Sequence, residues 1–166
     1  MRKIGLCFLA SLCFAVRLAA STVTVAVAQN EVAPEIALET SSLIEDEIMG
    51  SLYDEGYIVS NNDISLVGTA YADPSFGIKD ATEGFSDYLI AVLVEYAEEA
   101  VKDAERQIVY AEIRAVTWRL VRLSDGKVLA ERVVDMKKAK ADDPQDRARR
   151  LAKIIGRDCD RLLRKE

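Results

Sequence analysis

The sequence predicts a single domain of the α/β (α+β) class. A mixed sheet of about five strands is expected, with two main amphipathic helices packed on it. Three observations lead to this fold class. Residues Gln107–Met136 form two strand-like runs joined by an Asp-Gly turn. Residues Asp87–Tyr96 are almost wholly apolar, as in a central strand. Two segments, Glu35–Glu55 and Pro144–Arg164, repeat apolar residues at helical spacing.

Length and composition fit one ordinary globular domain. The chain has 166 residues, of which 50% are hydrophobic and 30% charged. A chain of this length can bury a core without disulfides or metals. Its formal net charge is -6, and removal of residues 1–20 would take away three cations and no acids, which gives -9. This acidity argues against nucleic-acid binding.

The N-terminus has the pattern of an export signal. Arg2 and Lys3 precede an apolar run over Ile4–Val16, which is too short to span a membrane. We expect cleavage near Ala20, which makes residues 1–20 the signal peptide and residues 21–166 a periplasmic domain. Cleavage after Ala28 fits the small-residue rule better, but it would remove the strand predicted over Ser21–Ala28. An uncleaved anchor is the alternative; lipid anchoring is not expected, because leucine precedes the cysteine at position 13.

The first half of the domain predicts a strand-helix-strand unit. Residues Ser21–Ala28 alternate valine with small residues, which favours a strand. The helix over Glu35–Glu55 follows, with Gly56 as its C-cap. Residues Tyr57–Ser60 then form a short strand, so the unit can make a parallel crossover with the helix on one sheet face.

The segment before the central strand is the least regular part of the sequence. We expect a helical turn or two within Asp63–Ala72 and a long irregular loop after it. Tyr71, Phe76 and Phe85 lie in this region, and long loops in compact domains are commonly functional. The three aromatic residues are therefore candidate partner-binding residues. The alternative is that their rings fold back and cap the core.

The hairpin over residues 107–136 predicts one buried and one mixed face. Strand alternation places one parity on the core and leaves the other partly solvated. The preceding segment, Glu98–Arg106, is expected to be an exposed connection. The predicted core parity comprises Val109, Ala111, Ile113, Ala115, Val121 and Leu123, interrupted by Thr117 and Arg119, and the mixed parity comprises Tyr110, Glu112, Arg114, Val116, Trp118, Leu120 and Arg122.

The last helix predicts a basic stripe opposite a core face. After a basic linker over Lys137–Ala141, Asp143 and Pro144 are suited to a helix start. The stripe can dock an acidic partner, anionic lipid or a phosphate-bearing polymer, or it is a solvated face that balances the acidic remainder. The core face comprises Ala148, Leu151, Ala152, Ile155, Cys159 and Leu162, and the candidate partner-binding residues of the stripe are Arg150, Lys153, Arg157 and Arg161.

Residues suited to catalysis are scarce. The sequence has no histidine, no glycine-rich phosphate loop and no paired cysteines for a metal. Cys159 is the single cysteine after residue 20 and is expected to be a small buried hydrophobe. Carboxylates are plentiful, but no spacing sets two of them in a hydrolytic pair. We therefore expect no enzymatic activity, no cofactor and no metal.

The order of elements resembles a bacterial envelope domain, that of the TolB N-terminal, CsgG and LpoB group. The resemblance implies a non-catalytic interaction module, periplasmic or outer-membrane-associated, that binds envelope proteins and can associate peripherally with a membrane. The alternatives are a periplasmic protein that binds a small ligand or lipid, and a carboxylate-dependent hydrolase. The segments that carry the resemblance read TVTVAVA from Thr22, DEGYIVSNND from Asp54, SDYLIAVLVEY from Ser86 and WRLVRLSDGKVLAE from Trp118.

Overall fold

The computed structural model describes residues 20–66 and 68–166. The expected signal peptide, apart from Ala20, lies outside the described residues, and its cleavage stays a prediction. The elements in chain order are β1 (Thr22–Gln29), α1 (Ala37–Asp54), β2 (Ile58–Asn61), α2 (Thr69–Ala72), α3 (Ile78–Glu83), β3 (Tyr88–Tyr96), β4 (Val101–Asp103), β5 (Ile108–Tyr110), β6 (Ile113–Arg122), β7 (Lys127–Val133), a 3-10 helix (Met136–Ala139) and α4 (Pro144–Leu163).

The predicted fold class is confirmed. A mixed five-stranded sheet has the order β2-β1-β3-β6-β7, and β4 and β5 form a separate two-stranded sheet. Strand β1 is parallel to both β2 and β3, whereas β6 is antiparallel to β3 and β7. The chain is thus a single α/β domain.

The strand-helix-strand unit forms as the sequence predicts. Helix α1 ends where Gly56 takes a φ of 91°, a left-handed conformation that costs glycine little. The Gly56 N–H donates to the Tyr53 carbonyl at 2.9 Å, which satisfies one of the last free carbonyls of the helix. Strand β2 follows at once and pairs in parallel with β1.

Helices α1 and α4 cover one face of the sheet, here called the α1/α4 face. Removal of apolar side chains from water stabilises this layer by about 25 cal/mol per Å². The interior is one continuous cluster, in which alternate residues of the central strands meet both helices. The strand side chains in it include Val23, Val25, Val27, Ile90, Val92, Val94, Val116, Trp118 and Leu120, all at most 1% exposed.

The expected assignment of alternate hairpin residues to the core face and the mixed face is wrong at the centre of the hairpin. Val116, Trp118 and Leu120, assigned to the mixed face, lie in the main core, whereas Val109 is 46% exposed. Val109 lies in β5 of the separate small sheet. The cause at the other three residues is a β-bulge: Tyr96 pairs with Ile113 but Glu95 pairs with Ala115. The extra residue, Arg114, reverses the alternation, so side chains after it point to the opposite faces from those expected.

The first strand of the hairpin is also shorter than expected. Residues Ile108–Tyr110 belong to β5, which pairs with β4 in the separate small sheet. The segment Glu98–Arg106 therefore contains a strand and is not only an exposed connection. Asp103 shapes the turn between the two strands, because its Oδ1 accepts from the N–H groups of Glu105 and Arg106 at 3.1 and 3.0 Å.

The segment between β2 and β3 is more regular than the long loop expected. It forms the short helices α2 and α3, which pack on the second face of the sheet, here called the α2/α3 face. Two small apolar clusters hold it there. One joins Ala81 of α3 to Ala26, Leu89 and Val121, and the other joins Tyr71 to Ala28 and Ala91.

Helix α4 starts and packs as the sequence predicts. Asp143 Oδ2 accepts from the Asp146 N–H at 2.9 Å, and Pro144 is the first helical residue. The predicted core face is buried from Ala148 to Cys159, although Leu163 is more deeply buried than Leu162. The basic linker is partly ordered as the 3-10 helix, since Asp135 Oδ1 accepts from the Lys137 N–H.

Candidate interaction surfaces

The three candidate aromatic residues have different environments. Tyr71 is 5% exposed; its ring lies 6.1 Å from that of Phe76 and 4.8 Å from the guanidinium carbon of Arg119. The alternative expectation, that the rings cap the core, describes these two residues. Phe85 differs from them, since it is 90% exposed. Of the three, only Phe85 presents its ring to solvent.

Arg119 ties the α2/α3 segment to the sheet. It is 5% exposed and donates to the carbonyls of Tyr71 and Asp73 at 3.2 and 3.3 Å. Its guanidinium also pairs with Glu131 Oε1 at 3.1 Å. Sequence reasoning noted Arg119 as a break in the apolar parity but assigned it no role. The signal that could have identified its role is a charged residue at a buried position of a strand, because such residues are rarely buried without partners.

Phe85 has an unfavourable backbone conformation. Its φ is 58°, in the left-handed region, whereas the neighbouring Gly84 has an ordinary φ of -77°. The backbone is held by the Phe85 N–H donating to the Thr82 carbonyl at 3.0 Å, and by Thr22 Oγ1 donating to the Phe85 carbonyl at 3.2 Å. A side chain in this region costs about 1 kcal/mol or more relative to glycine. The fold bears this cost at an exposed ring.

A cleft adjoins Phe85 at the edge of the sheet where β1 and β3 begin. It has a volume of about 460 Å³, and Ser86, Asp87, Tyr88 and Arg122 contribute to its lining. The Asp87 carboxylate accepts from the N–H and hydroxyl of Thr22, both at 2.9 Å. Arg122 is paired with Asp125 and Glu166. We call this cleft together with Phe85 the amino-edge surface.

The stripe on α4 is exposed as expected, but acids balance much of it. Lys153 and Arg157 border a groove of about 480 Å³ together with three acids of α1, Asp46, Glu47 and Asp54. The remaining two candidate residues have partners of their own: Arg161 lies 3.7 Å from Asp158, and Arg150 donates to the Lys140 carbonyl at 2.6 Å. The groove is therefore of mixed charge.

The β7 edge of the sheet is poorly suited to strand addition. In the described part of the chain, β7 has β6 as its one sheet neighbour, so its outer backbone groups are available. However, β7 carries Lys127, Glu131 and Arg132 and has a bulge opposite Leu120 and Val121. Charges and bulges at an edge discourage pairing with another strand.

Polar groups inside the fold join neighbouring elements. Gln29 Nε2 donates to Ser41 Oγ at 2.8 Å, and Ser41 Oγ lies 2.8 Å from the Tyr96 hydroxyl, which links β1, α1 and β3. Cys159 is fully buried, as predicted, and burial raises the pKa of its thiol. Among the described residues, no group of three histidine, cysteine or acidic side chains is placed to hold a metal.

Glu45 is a buried carboxylate with one unsatisfied oxygen. It is 5% exposed, and Asn61 Nδ2 donates to its Oε2 at 3.0 Å. Within residues 20–66 and 68–166, Oε1 has no hydrogen-bond partner. Burial raises the pKa of Glu45 above its ordinary 4.5; the Asn61 bond acts against this, and the nearby Asp46 and Asp63 add to it.

Glu45→Gln is expected to change the pH dependence of stability. In the wild type the folded state binds the Glu45 proton more tightly than the unfolded state, so ionisation costs stability as the pH rises from about 4.5. The free energy of unfolding of the variant should therefore increase relative to the wild type across this range. Urea unfolding between pH 4 and pH 7 measures the difference. Glu39→Gln, at an exposed position of α1, controls for the lost charge, and a pH-independent difference for Glu45→Gln would contradict the argument.

Several solved structures are distantly similar to the chain. A PelC dodecamer from Paraburkholderia phytofirmans is 16% identical with a TM-score of 0.48, over 82% of this chain and 87% of that one. Lipoprotein GNA1162 from Neisseria meningitidis is 17% identical with a TM-score of 0.41, over 69% and 80%. A homolog of a neuraminyllactose-binding hemagglutinin from Helicobacter pylori is 12% identical with a TM-score of 0.48, over 89% and 92%. These likenesses are too distant to assign a function.

The resemblance to the TolB N-terminal, CsgG and LpoB group is wrong. The family model that matches the chain is a different one. The motifs that carried the resemblance set strands and turns, so they suit any family with this order of elements. No curated protein matches the chain. The family model, described as "Uncharacterised protein", matches residues 22–163, and the chain belongs to that family.

Proposed function

We propose that the protein is a non-catalytic binding module of the bacterial cell envelope, which contacts a partner protein through the amino-edge surface. The single observation that carries the proposal is Phe85, an aromatic ring 90% exposed on a left-handed backbone. Strain at an exposed residue has no benefit for folding, so it points to a role in binding. Aromatic residues are favoured anchors of protein interfaces, because a ring buries a large area at low entropic cost.

An export signal supports the envelope location. The charged residues and apolar run at the start of the sequence favour secretion, with cleavage near Ala20. In the part of the chain that the structure describes, no helix has the length and apolar character needed to cross a membrane. A periplasmic position, with or without peripheral membrane contact, follows from the signal.

The chemistry of the side chains favours binding over catalysis. The sequence lacks histidine, so the usual activation of serine or cysteine by histidine is unavailable. The one cysteine of the described residues is buried with its thiol pKa raised, which opposes formation of a reactive thiolate. The apolar side chains between the sheet and α1 and α4 form a continuous cluster, which also favours the interaction module over a carrier of lipid.

Two substitutions at Phe85 separate its roles in stability and in binding. Phe85→Gly should stabilise the protein by about 1 kcal/mol, because it relieves the left-handed strain and loses little buried area. Phe85→Ala keeps most of the strain and should leave stability almost unchanged. Both remove the ring and should abolish partner capture. Urea unfolding followed by the fluorescence of Trp118 measures stability, since the chain has a single tryptophan.

Partner contact is tested by placing a photo-crosslinking amino acid at position 85 in cells. A discrete crosslinked envelope protein is expected at position 85 and not at Lys79, whose side chain is 82% exposed on α3. Reversal of Arg150, Arg157 and Arg161 to glutamate should leave that crosslink intact, because the stripe is not part of the amino-edge surface. Absence of a crosslink at position 85 would overturn the contact at the amino-edge surface, and loss of the position-85 crosslink in the stripe variant would show that α4 takes part in the contact.

A further inference from the structure

A small pocket between the basic linker and the start of α4 is lined by cations. Its volume is about 220 Å³, and its lining residues are Met136, Lys137, Lys140, Ala141 and Arg147. No acidic side chain lines it, in contrast to the groove beside the α4 stripe, where three acids face Lys153 and Arg157. In a chain of net charge -6, three cations around one pocket form a local positive potential.

Arg147 is the unusual member of the pocket. Its Nε is buried and has no hydrogen-bond partner in the described part of the chain. Glu112 and Asp142 border a smaller pocket of about 60 Å³ that Arg147 also lines, yet Arg147 forms no ion pair within residues 20–66 and 68–166. A guanidinium stays charged at all physiological pH values, and a buried donor without an acceptor costs stability. An oxyanion in the pocket would balance the charge of this guanidinium.

The backbone around the pocket is held in place by other residues. Arg150 donates to the Lys140 carbonyl at 2.6 Å, and Arg106 donates to the Asp142 carbonyl. The Lys137 N–H is fixed by Asp135 at 3.0 Å, and the Arg147 N–H donates to the Asp143 carbonyl at 3.0 Å. The linker is therefore anchored at both ends, and two further arginines approach it. A preorganised cationic site loses less entropy when an anion binds.

We propose that this pocket binds a phosphate group, either as a free anion or on a lipid headgroup. Arginine offers several N–H donors in a planar fork that matches phosphate oxygens, and two lysines add charge without fixed geometry. The combination suits an anion with several oxygens and more than one negative charge better than a single carboxylate. The site lies on the linker and α4 and is independent of Phe85 and the amino-edge surface.

Thermal unfolding of the purified protein in increasing inorganic phosphate, against sodium chloride of equal ionic strength, tests the proposal. Phosphate should raise the Tm of the wild type beyond the effect of chloride. Arg147→Met should weaken the phosphate dependence at least tenfold, while its Tm without phosphate stays equal to or above that of the wild type. Arg161→Met removes one exposed charge from the same helix and should respond as the wild type does.

Sedimentation with vesicles distinguishes the two sources of phosphate. Binding to phosphatidylglycerol but not phosphatidylcholine vesicles, lost in Arg147→Met and kept in Arg161→Met, would assign a lipid headgroup. A response to inorganic phosphate without vesicle binding would assign the free anion. The proposal is overturned if neither probe distinguishes Arg147→Met from Arg161→Met, or if Arg147→Met lowers the Tm and phosphate has no effect on the wild type. The second result would make Arg147 a structural residue.

Discussion

Arg119→Met is expected to destabilise the protein by about 3 kcal/mol and to loosen the α2/α3 segment. The substitution removes a buried guanidinium that donates to the carbonyls of Tyr71 and Asp73, stacks on the Tyr71 ring and pairs with Glu131. Loss of a buried, hydrogen-bonded charge leaves its partners unsatisfied and typically costs about 3 to 5 kcal/mol. We place the effect at the lower end because Glu131 is half exposed and recovers water.

Urea unfolding followed by circular dichroism measures the loss, and hydrogen exchange of α2 and α3 locates it. Arg132→Met is the matched control. Arg132 lies 5.8 Å from the Trp118 ring and pairs with Asp158 at 3.5 Å, but its side chain is 50% exposed. A pair of this kind is worth about 0 to 1 kcal/mol. Two outcomes would refute the claim that Arg119 holds the α2/α3 segment on the sheet. One is an equal decrease in the free energy of unfolding for the two variants. The other is a decrease for Arg119→Met without faster hydrogen exchange in α2 and α3.

Gly156→Ala is expected to destabilise the protein by up to about 2 kcal/mol, although alanine is the better helix former. A Cβ at position 156 would lie 2.8 Å from Ser51 Oγ and 3.0 Å from Ser51 Cβ, closer than such atoms approach. Overpacking of a close contact costs about 1 to 3 kcal/mol. The better helix propensity of alanine offsets about 1 kcal/mol of this cost. Helices α1 and α4 can pack this closely because position 156 has no side chain.

Gly50→Ala provides the control for propensity. Position 50 is an exposed site in α1 with nothing within 4 Å of an added Cβ, so the substitution should stabilise the protein by about 0.5 to 1 kcal/mol. In a Ser51→Gly background, which restores room at the contact, Gly156→Ala should stabilise the protein instead of destabilising it. Stabilisation by Gly156→Ala alone would show that the two helices move apart at little cost.

Local rules predicted the elements that have one strong signal. The apolar run became β3 one residue later than expected, Gly56 ended α1, and Asp143 and Pro144 began α4. In each case one residue type has a conformation or environment that few others tolerate. The mixed five-stranded sheet then follows, because the parallel crossover and the antiparallel hairpin leave few alternative orders.

The errors arose where pairing and charge depend on distant residues. Alternation failed across β6 because the bulge at Arg114 exists only in register with Glu95 and Tyr96. The sequence also could not show which acids face the α4 stripe, because these acids belong to α1. Nor could the sequence show that Phe85, and not Gly84, has the left-handed backbone. These features are set by tertiary contacts, which a window along the chain does not contain.

The position of β1 has a consequence for the nascent chain. Ribosomes make this strand first, yet its two neighbours, β2 and β3, are complete only when Asn61 and Tyr96 have been added. Until then the side chains of Val23, Val25 and Val27, which are buried in the native sheet, are exposed. A short, alternating, β-branched segment without charge is a common aggregation nucleus. A holding chaperone that covers residues 22–29 during synthesis would prevent aggregation of the nascent chain.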